Sequence, residues 1–447
     1  MSLSKGTVIN HSNIRLRQGK DTTETEMSSS LLSPTKNNQV SYIDVEHTKD
    51  SLSDGSYSEI EVKPKEVRCE NCRKIVLQVI GVGLCGIVFG IAMEKSRVFE
   101  PKSIRDQMVF ENFIMLKMFL AAEAFGQISM SILSLIPATK GKFEDASKEF
   151  ISCFTDKGIL SSALGAFVLG SGMSLCGGCP GMVLPQVGAW VPNSLFTLIG
   201  CLIGALSYGL LGTHISRLTK PKICFKHQQV HEKFNIPYAA IALPMAFVLT
   251  VVIFIMEWFW PHEKDLESLG RAAELKSNVI TTISWPPYVG GILIGALQIP
   301  VILLVRDTIG GSSGYVTVVS QLFFTKNLQR MFPYLADRRT GVSNWWQVVY
   351  VTCAIGGGAI SAATSNSFGK ALGVPVYLAL IGGIAMIWGS RLAAGCTSGH
   401  GLSGMGLLSW LSFIAVPCMF GGGIVTAFAM QATGALDTYV TSIGEIS

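Results

Sequence analysis

Nine long apolar stretches dominate this chain of 447 residues and limit what it can fold into. Each approaches the roughly 20 residues that a helix needs to cross the hydrocarbon core of a bilayer. Only 15% of the residues are charged, against about a quarter in a soluble domain. We therefore predict an all-α polytopic membrane protein. The predicted spans are 75–94, 112–136, 159–175, 194–216, 237–260, 284–305, 345–363, 374–392 and 406–430.

The chain before the first span differs in composition from the rest. Residues 1–68 are rich in Ser, Thr, Asn, Lys and Glu and have no periodic apolar face, which is typical of a disordered tail. We predict a cytosolic tail that is a candidate binding segment for a cytosolic partner. The other predicted divisions are a first membrane repeat (69–216), a basic loop with a connecting helix and an acidic loop (217–283), a second, inverted membrane repeat (284–430) and a short C-terminal tail (431–447).

The basic residues between the spans indicate an orientation. The loops that would share a side with the N-terminal tail carry 18 Lys and Arg residues, and the opposite loops carry 8. Because cytoplasmic loops are enriched in basic residues, we predict a cytosolic N-terminus. The net charge of +5 is then explained by the basic cytoplasmic loops, and we predict no nucleic-acid partner. No signal peptide precedes the first apolar run, so the plasma membrane is the default location. The oligomeric state stays open.

The two halves of the membrane region resemble each other in sequence. Adding 217 to the residue number pairs Gly165 with Gly382 and Cys179 with Cys396. Four spans, one connecting span and four further spans would place the second copy upside down in the membrane. Inverted repeats of this kind hold their substrate site near the bilayer midplane, on interrupted helices.

Two segments rich in glycine are predicted to interrupt helices. They are Gly170–Gly181 and Gly389–Gly401, and each contains a Gly-Cys pair, Gly178-Cys179 and Gly395-Cys396. Glycine and proline at this density break a helix, so we predict re-entrant half-helices whose N-termini suit an anion. Gly310–Tyr315 is a third predicted break, and Phe99–Ser103 a weaker fourth. The competing interpretation is that the glycines serve close helix packing alone.

The paired cysteines point to sulfur chemistry at the breaks. A neutral thiol is a weak, soft donor that suits a polarisable sulfur atom, whereas a thiolate would repel an anion. We predict that Cys179 and Cys396 line a pathway for a small sulfur-containing anion, without catalytic residues, metal or cofactor. The alternative is a membrane thiol oxidoreductase or persulfide-handling enzyme, which would use Cys176 and Cys179 as a C-x-x-C pair.

Charged residues at membrane depth are a further functional signal. Lys117 lies in the second predicted span, and Arg391 lies five residues before Cys396. We predict that both attract the anion; a structural ion pair is the competing account. His400 could sense protons, but we favour a role in hydrogen bonding the backbone of its loop.

The two cysteine segments resemble the signatures of the YeeE/YedE sulphur-transport family. Gly177–Gly181 (GGCPG) is similar to the first signature and Ala394–Gly404 (AGCTSGHGLSG) to the second, while Leu116–Leu120 (LKMFL) is also typical of its members. The resemblance covers roughly residues 75–430. It implies an hourglass-shaped protein of inverted repeats with re-entrant helices, and thiosulfate passed between pore cysteines. Carried over by motif, those cysteines are Cys179 and Cys396.

One feature departs from the family pattern. The family transporter uses a third pore cysteine in the first re-entrant segment of its N-terminal half, and residues 95–111 of this chain contain no cysteine. Cys85 and Cys176 are candidate replacements, between which the spacing does not choose.

Overall fold

The fold is built from long apolar helices, as the hydropathy pattern predicts. The computed structural model describes residues 70–152, 157–219, 229–270, 278–279, 281–441 and 444–446. Within these ranges, nine helices are long and apolar enough to cross a membrane. They confirm the predicted spans to within a few residues, and the protein is an integral, multi-pass membrane protein. They are Arg73–Lys95, Ile114–Leu135, Ile159–Cys176, Ser194–Ile215, Tyr238–Phe259, Pro287–Val305, Val342–Ser365, Val376–Ala393 and Trp410–Ala432.

Short helices and turns connect the long ones. In chain order the helices are α1 (Glu70–Lys95), α2 (Pro101–Met108), α3 (Ile114–Leu135), α4 (Pro137–Ser152), α5 (Ile159–Cys176), α6 (Val183–Gly188), α7 (Ser194–Thr219), α8 (Val230–Phe234), α9 (Tyr238–Phe259), α10 (His262–Ser268), α11 (Pro287–Ala296), α12 (Gln298–Val305), α13 (Ser312–Ser320), α14 (Lys326–Met331), α15 (Pro333–Asp337), α16 (Val342–Ser365), α17 (Val376–Ala393), the π-helix π1 (Thr397–Gly404) and α18 (Trp410–Ala432). A hairpin of β1 (Tyr439–Thr441) and β2 (Gly444–Ile446) follows.

The two predicted cysteine breaks are shorter than the sequence suggested. Helix α5 continues to Cys176 and α17 continues to Ala393, so the prediction that Gly170–Cys176 and Gly389–Ala393 are not helical was wrong. The physical reason is that several of these glycines serve helix contact, the competing interpretation. Beyond each of these two helices the chain is not helical at 177–182 and at 394–396. The other two interruptions lie at 96–100 and 306–311, before most of the predicted breaks Phe99–Ser103 and Gly310–Tyr315, because α2 begins at Pro101 and α13 at Ser312.

Glycines bring α5 and α17 into backbone contact. A Cβ atom at Gly165 or Gly172 would overlap the backbone of α17, and one at Gly382 or Gly389 would overlap the backbone of α5. Small residues permit such close approach of membrane helices. The two helices that carry the cysteine segments are therefore packed directly on each other, which holds both segments in one region of the protein.

Arg105 fixes the short helix α2 against its neighbours. Its guanidinium donates to the carbonyl oxygens of Ser174 (3.2 Å) and Leu175 (2.6 Å) at the end of α5. It also donates to Leu436 and Thr438 beyond α18, at 3.0 and 3.1 Å. The last carbonyls of a helix lack partners within the helix. The buried Arg105 side chain therefore caps the C-terminal end of α5 and attaches α2 and the C-terminal segment to it.

Three predictions about organisation stay predictions. The cytosolic tail 1–68 lies outside the described residues. The inverted repeat of the two membrane halves and the re-entrant course of the short helices are expectations from the sequence, as are the divisions at 216, 283 and 430.

Candidate anion site

Two left-handed residues turn the chain towards the cysteines. Helix α5 ends at Gly177, whose φ is +61°, and α17 ends at Ala394, whose φ is +69°. This conformation is common for glycine and unfavourable for alanine. Two residues later in each case the chain reaches a buried cysteine, Cys179 or Cys396. Cys179 and the two residues directly after Cys396, Thr397 and Ser398, line one small cavity.

A small cavity lies beside the Cys179 thiol. Its volume of about 30 Å³ exceeds the roughly 10–15 Å³ that a cavity needs to hold one water molecule. Cys179, Thr397 and Ser398 belong to its lining, which exposes almost no polar surface. The rest of the lining is rich in sulfur and aromatic rings: Phe89, Met93, Met115, Met118, Phe119, Gly181, Met182 and Leu402. The site is thus soft and polarisable.

Cys396 lies next to this lining and is connected to a basic side chain. Its Sγ lies 3.2 Å from the Ser398 hydroxyl and also interacts with Ser312 at the start of α13. The Arg391 guanidinium donates to the same Ser312 hydroxyl, and to Ser313 at 3.2 Å. Ser312 therefore connects the thiol of the second cysteine segment with the cation at the end of α17.

Arg391 is a buried cation with spare donor capacity. It is 8% exposed, and its Nε has no hydrogen-bond partner. No carboxylate of the described residues lies within ion-pair distance of it. A buried charge of this kind is costly unless it is paired. An anion that accepts from the guanidinium would remove that cost, so the geometry of Arg391 suits a binding role.

Lys117 is neutralised by acidic neighbours. Its Nζ lies 2.8 Å from Asp265 and 3.0 Å from Glu257, and it donates to the carbonyl of Trp260 at 2.5 Å. Glu257 in turn contacts His262 at 3.0 Å. Lys117 is completely buried within this network. These contacts match the competing account, a structural ion pair, and the role of Lys117 in attracting the anion stays a prediction.

His400 ties the second cysteine segment to its surroundings. Its Nε2 lies 3.0 Å from the carbonyl oxygen of Ala393, and its Nδ1 lies 3.1 Å from the Ser412 hydroxyl. A neutral ring that donates through Nε2 and accepts at Nδ1 matches these contacts. Gly395 makes room for the ring, because a Cβ there would lie 2.8 Å from it. Both residues shape π1.

Cys176 and Gly178, the other two predicted site residues, directly precede Cys179 in the chain. The Cys176 thiol lies 3.7 Å from the carbonyl oxygen of Gly178. A Cβ at Gly178 would lie 3.2 Å from the Gln186 side chain, which donates to the carbonyls of Phe99 and Gly177 at 2.9 and 2.8 Å. Gln186 of α6 thereby joins the first break, at Gly177, to the turn before α2, at Phe99. The seven cysteines whose side chains the structure describes are free thiols.

Sequence reasoning did not assign roles to several residues around the site. Tyr315 of α13 donates to the carbonyl of Pro180 at 2.7 Å, and Ser312 and Ser313 bind Arg391. These three lie in or next to the predicted break Gly310–Tyr315, which could have suggested them. Nothing in the sequence indicated that the cavity methionines belong to the site, because methionine is common in apolar spans.

Fold and site together define a polytopic helical membrane protein with interrupted segments around a buried, thiol-bearing cavity. The chain belongs to the sulphur transport family, whose model matches residues 95–425. The resemblance seen in the two cysteine motifs is thereby confirmed.

Named relatives cover most of the chain. The thiosulfate transporter TsuA of Escherichia coli is 24% identical over 352 residues, which is 76% of this chain and 91% of the relative. The protein of the same name from Spirochaeta thermophila is 22% identical over 346 residues, 74% of this chain and 93% of the relative. A probable transporter from Xylella fastidiosa is 27% identical over 146 residues, 33% of this chain and 94% of the relative.

Proposed function

We propose that the protein transports thiosulfate, or a closely related sulfur anion, across a membrane along a path past Cys179 and Cys396. The observation that supports this proposal is a cavity-lining thiol at Cys179, followed in the second segment by Cys396, which Ser312 links to Arg391. Among the described residues, no carboxylate lies within ion-pair distance of Arg391. Membership of the sulphur transport family and relatives named as thiosulfate transporters support the choice of substrate.

The two ends of thiosulfate differ, and the site offers a partner for each. Its terminal sulfur is large and polarisable and accepts from the soft S–H donors of the two cysteines. Its oxygens accept charge-assisted hydrogen bonds, which are the stronger kind, from the Arg391 guanidinium. The thiols have to stay neutral in this role. Burial in an apolar interior favours the neutral form of Cys179, whereas the hydroxyl groups of Ser312 and Ser398 beside Cys396 favour its thiolate.

The cavity has to enlarge for the anion to pass. The volume of about 30 Å³ is only two to three times the roughly 10–15 Å³ that one water molecule needs, and an ion of two sulfur and three oxygen atoms is much larger than water. Met93, Met115, Met118 and Met182 form much of the wall, and methionine side chains adapt readily because they are long and unbranched. We infer that the structure is a closed state, and that these side chains move when the substrate enters.

The helix packing supports an inverted repeat. Helix α5 packs on α17 and α18, and α17 packs on α5 and α7. Similarly, α1 packs on α16 and α3 packs on α11. In chain order, α1, α3, α5 and α7 correspond to α11, α16, α17 and α18. Exchanging each helix for its counterpart turns every one of these contacts into another contact that is also present. We propose that substrate is exposed alternately to the two sides by relative movement of these halves, with the N-terminus in the cytosol and the plasma membrane as the location.

Uptake by purified protein in liposomes tests the proposal. The wild-type protein should accumulate labelled thiosulfate, and unlabelled thiosulfate should compete better than sulfate. Cys179→Ala and Cys396→Ala should each reduce the rate at least tenfold, whereas Cys418→Ala, a matched change in α18, should leave it unchanged. Wild-type uptake in the double variant Cys179→Ala, Cys396→Ala would reject the cysteine path. Absence of uptake by the wild-type protein would reject the transport proposal.

The thiol-enzyme alternative has a separate test. It requires Cys176 and Cys179 to exchange between dithiol and disulfide, or to carry a persulfide. In the structure the cavity lining includes Cys179, while the Cys176 thiol lies against the Gly178 carbonyl. A redox-dependent change in mass located to these two residues would favour the enzyme; unchanged masses with intact uptake favour transport.

A further inference from the structure

A carboxyl group lies completely buried in the middle of α3. Glu123 is 0% exposed and lies nine residues after the first residue of that helix. Gln127, one turn later, donates to its Oε1 at 2.8 Å. Its Oε2 has no hydrogen-bond partner in the described part of the chain. In an apolar interior, a carboxylate with an unmet oxygen costs far more free energy than a protonated carboxyl group does.

The helical spacing directs this carboxyl group towards the second cysteine segment. Phe119 and Met130 lie within about 40° of Glu123 around the axis of α3. The Phe119 ring packs directly against Gly401 of π1, and Met130 packs against Gly406 just beyond it. Phe119 also lines the cavity beside Cys179. Glu123 therefore lies about 6 Å along the helix from a cavity residue, on the side that faces π1.

Further unmet polar atoms continue from Glu123 along α3. Gln127 Oε1 and the hydroxyl groups of Ser129 and Ser131 are buried and have no hydrogen-bond partner among the described residues. Positions 123, 127 and 131 follow each other at intervals of one helical turn. Ordered water commonly satisfies such groups, and a row of them suits the passage of a proton towards the C-terminal end of α3.

The surroundings contain no basic partner for this carboxyl group. Tyr238 of α9 is near enough to interact with it, and donates to the carbonyl of Gly406 at 2.5 Å. His400 adjoins Gly401. The remaining titratable or charged groups on the elements packed against α3 are Lys102, Arg105 and Asp106 of α2, Lys140, Lys142, Glu144, Asp145, Lys148 and Glu149 of α4, Glu257 of α9 and Tyr288 of α11. None of these is an ion-pair partner of Glu123 in the described structure.

We propose that Glu123 is a proton-binding site and that its proton moves across the membrane together with the anion. This rests on the proposed transport function. With the cavity closed around a dianion, a carboxylate one turn away would add like-charge repulsion, so anion binding favours the protonated form. By reciprocity, protonation strengthens anion binding. When the path opens to water, both the anion and the proton can leave, and the cycle moves them in the same direction.

Accumulation of thiosulfate in liposomes under an imposed pH gradient tests this coupling. With the membrane potential clamped, an acidic exterior should raise the accumulation ratio about tenfold for each unit of pH if one proton accompanies each anion. Glu123→Gln keeps the oxygen that accepts from Gln127 and should remove the response while exchange of internal for external thiosulfate persists. Glu123→Asp should retain part of the response. Glu144→Gln, an exposed change of the same kind, should behave as wild type.

Each outcome is decisive. A Glu123→Gln protein that still responds to the pH gradient overturns the proposal, and so does a wild-type protein that does not respond. Infrared difference spectroscopy adds a readout that needs no transport: at neutral pH the wild-type protein should show the carbonyl band of a protonated carboxyl group that Glu123→Gln lacks. Absence of this band overturns the proton site. Its presence without any uptake by the wild-type protein would reject the transport function and leave the proton site standing.

Discussion

Gly177 and Ala394, which are 217 residues apart, have the same left-handed backbone conformation and end the two helices that precede the cysteines. Their φ angles are +61° and +69°. The offset is the one that pairs Cys179 with Cys396. The two halves thus use the same turn to reach their cysteines, but only the first half has the residue that adopts it without strain.

This difference predicts opposite effects of exchanging the two side chains. Ala394→Gly should raise the free energy of unfolding by about 1 kcal/mol, because an L-residue pays that amount in the left-handed region. Gly177→Ala should lower it by about 2 kcal/mol or more, because the new Cβ would also overlap Pro101. Denaturation of the purified variants in detergent measures both. Equal effects of the two substitutions would contradict the strain argument.

Arg391 should control the affinity for the substrate. Arg391→Gln removes the charge that the described structure leaves without a carboxylate, and should raise KM for thiosulfate about ten- to hundredfold, since hydrogen bonds to charged groups contribute about 1.5–3 kcal/mol. Arg391→Lys should have a smaller effect, because it keeps the charge but loses the planar fork. The control is Arg306→Gln, which removes an exposed ion pair with Asp145. An unchanged KM in Arg391→Gln would exclude this role.

Lys117 should matter for folding. Lys117→Met leaves Asp265 and Glu257 without their cation and should cost about 3–5 kcal/mol of stability, as breaking a buried ion pair does. Lys117→Met combined with Asp265→Asn should recover part of this loss. Lys140→Met breaks only an exposed pair with Glu144 and should have almost no effect. A stable Lys117→Met protein with weakened thiosulfate binding would support the anion-attracting role instead.

Asp307, just beyond α12, should make stability depend on pH. Burial raises the pKa of its carboxyl to about 6, although the backbone N–H of Thr308 and the indole of Trp346 donate to it, and nearby Glu149 adds to the rise. An unfolded chain would hold this proton only below about pH 4. The folded state therefore binds the extra proton between these values, so stability falls as the pH rises from about 4 to 6 and stays lower above it.

The variant Asp307→Asn isolates that contribution. The apparent unfolding temperature of the wild-type protein should be higher at pH 5 than at pH 7, and the difference should shrink in Asp307→Asn. At pH 7 the variant should be the more stable protein, because it avoids burying a carboxylate. A pH dependence that is the same in both proteins would assign the effect to other groups.

The sequence predicted the spans well because hydropathy is a local property, so the residues of each helix are enough to predict it. Motif and spacing also pointed to Cys179 and Cys396, whose role in the pathway stays a prediction. The sequence did not predict the extent of the breaks, since glycine both interrupts helices and lets them touch, and only the partner backbone distinguishes the two. Nor could it pair Lys117 with Asp265, which lies 148 residues away. That pairing depends on how α3 and α10 meet.

The glycine contact between α5 and α17 has a genetic consequence. At Gly165, Gly172, Gly382 and Gly389 the opposing backbone occupies the space of a side chain. Every amino-acid replacement of glycine adds at least one carbon atom there, so no missense change at these four codons is neutral in size. We expect variants at these positions to be lost from populations that depend on the protein, including alanine variants that other helical positions would tolerate.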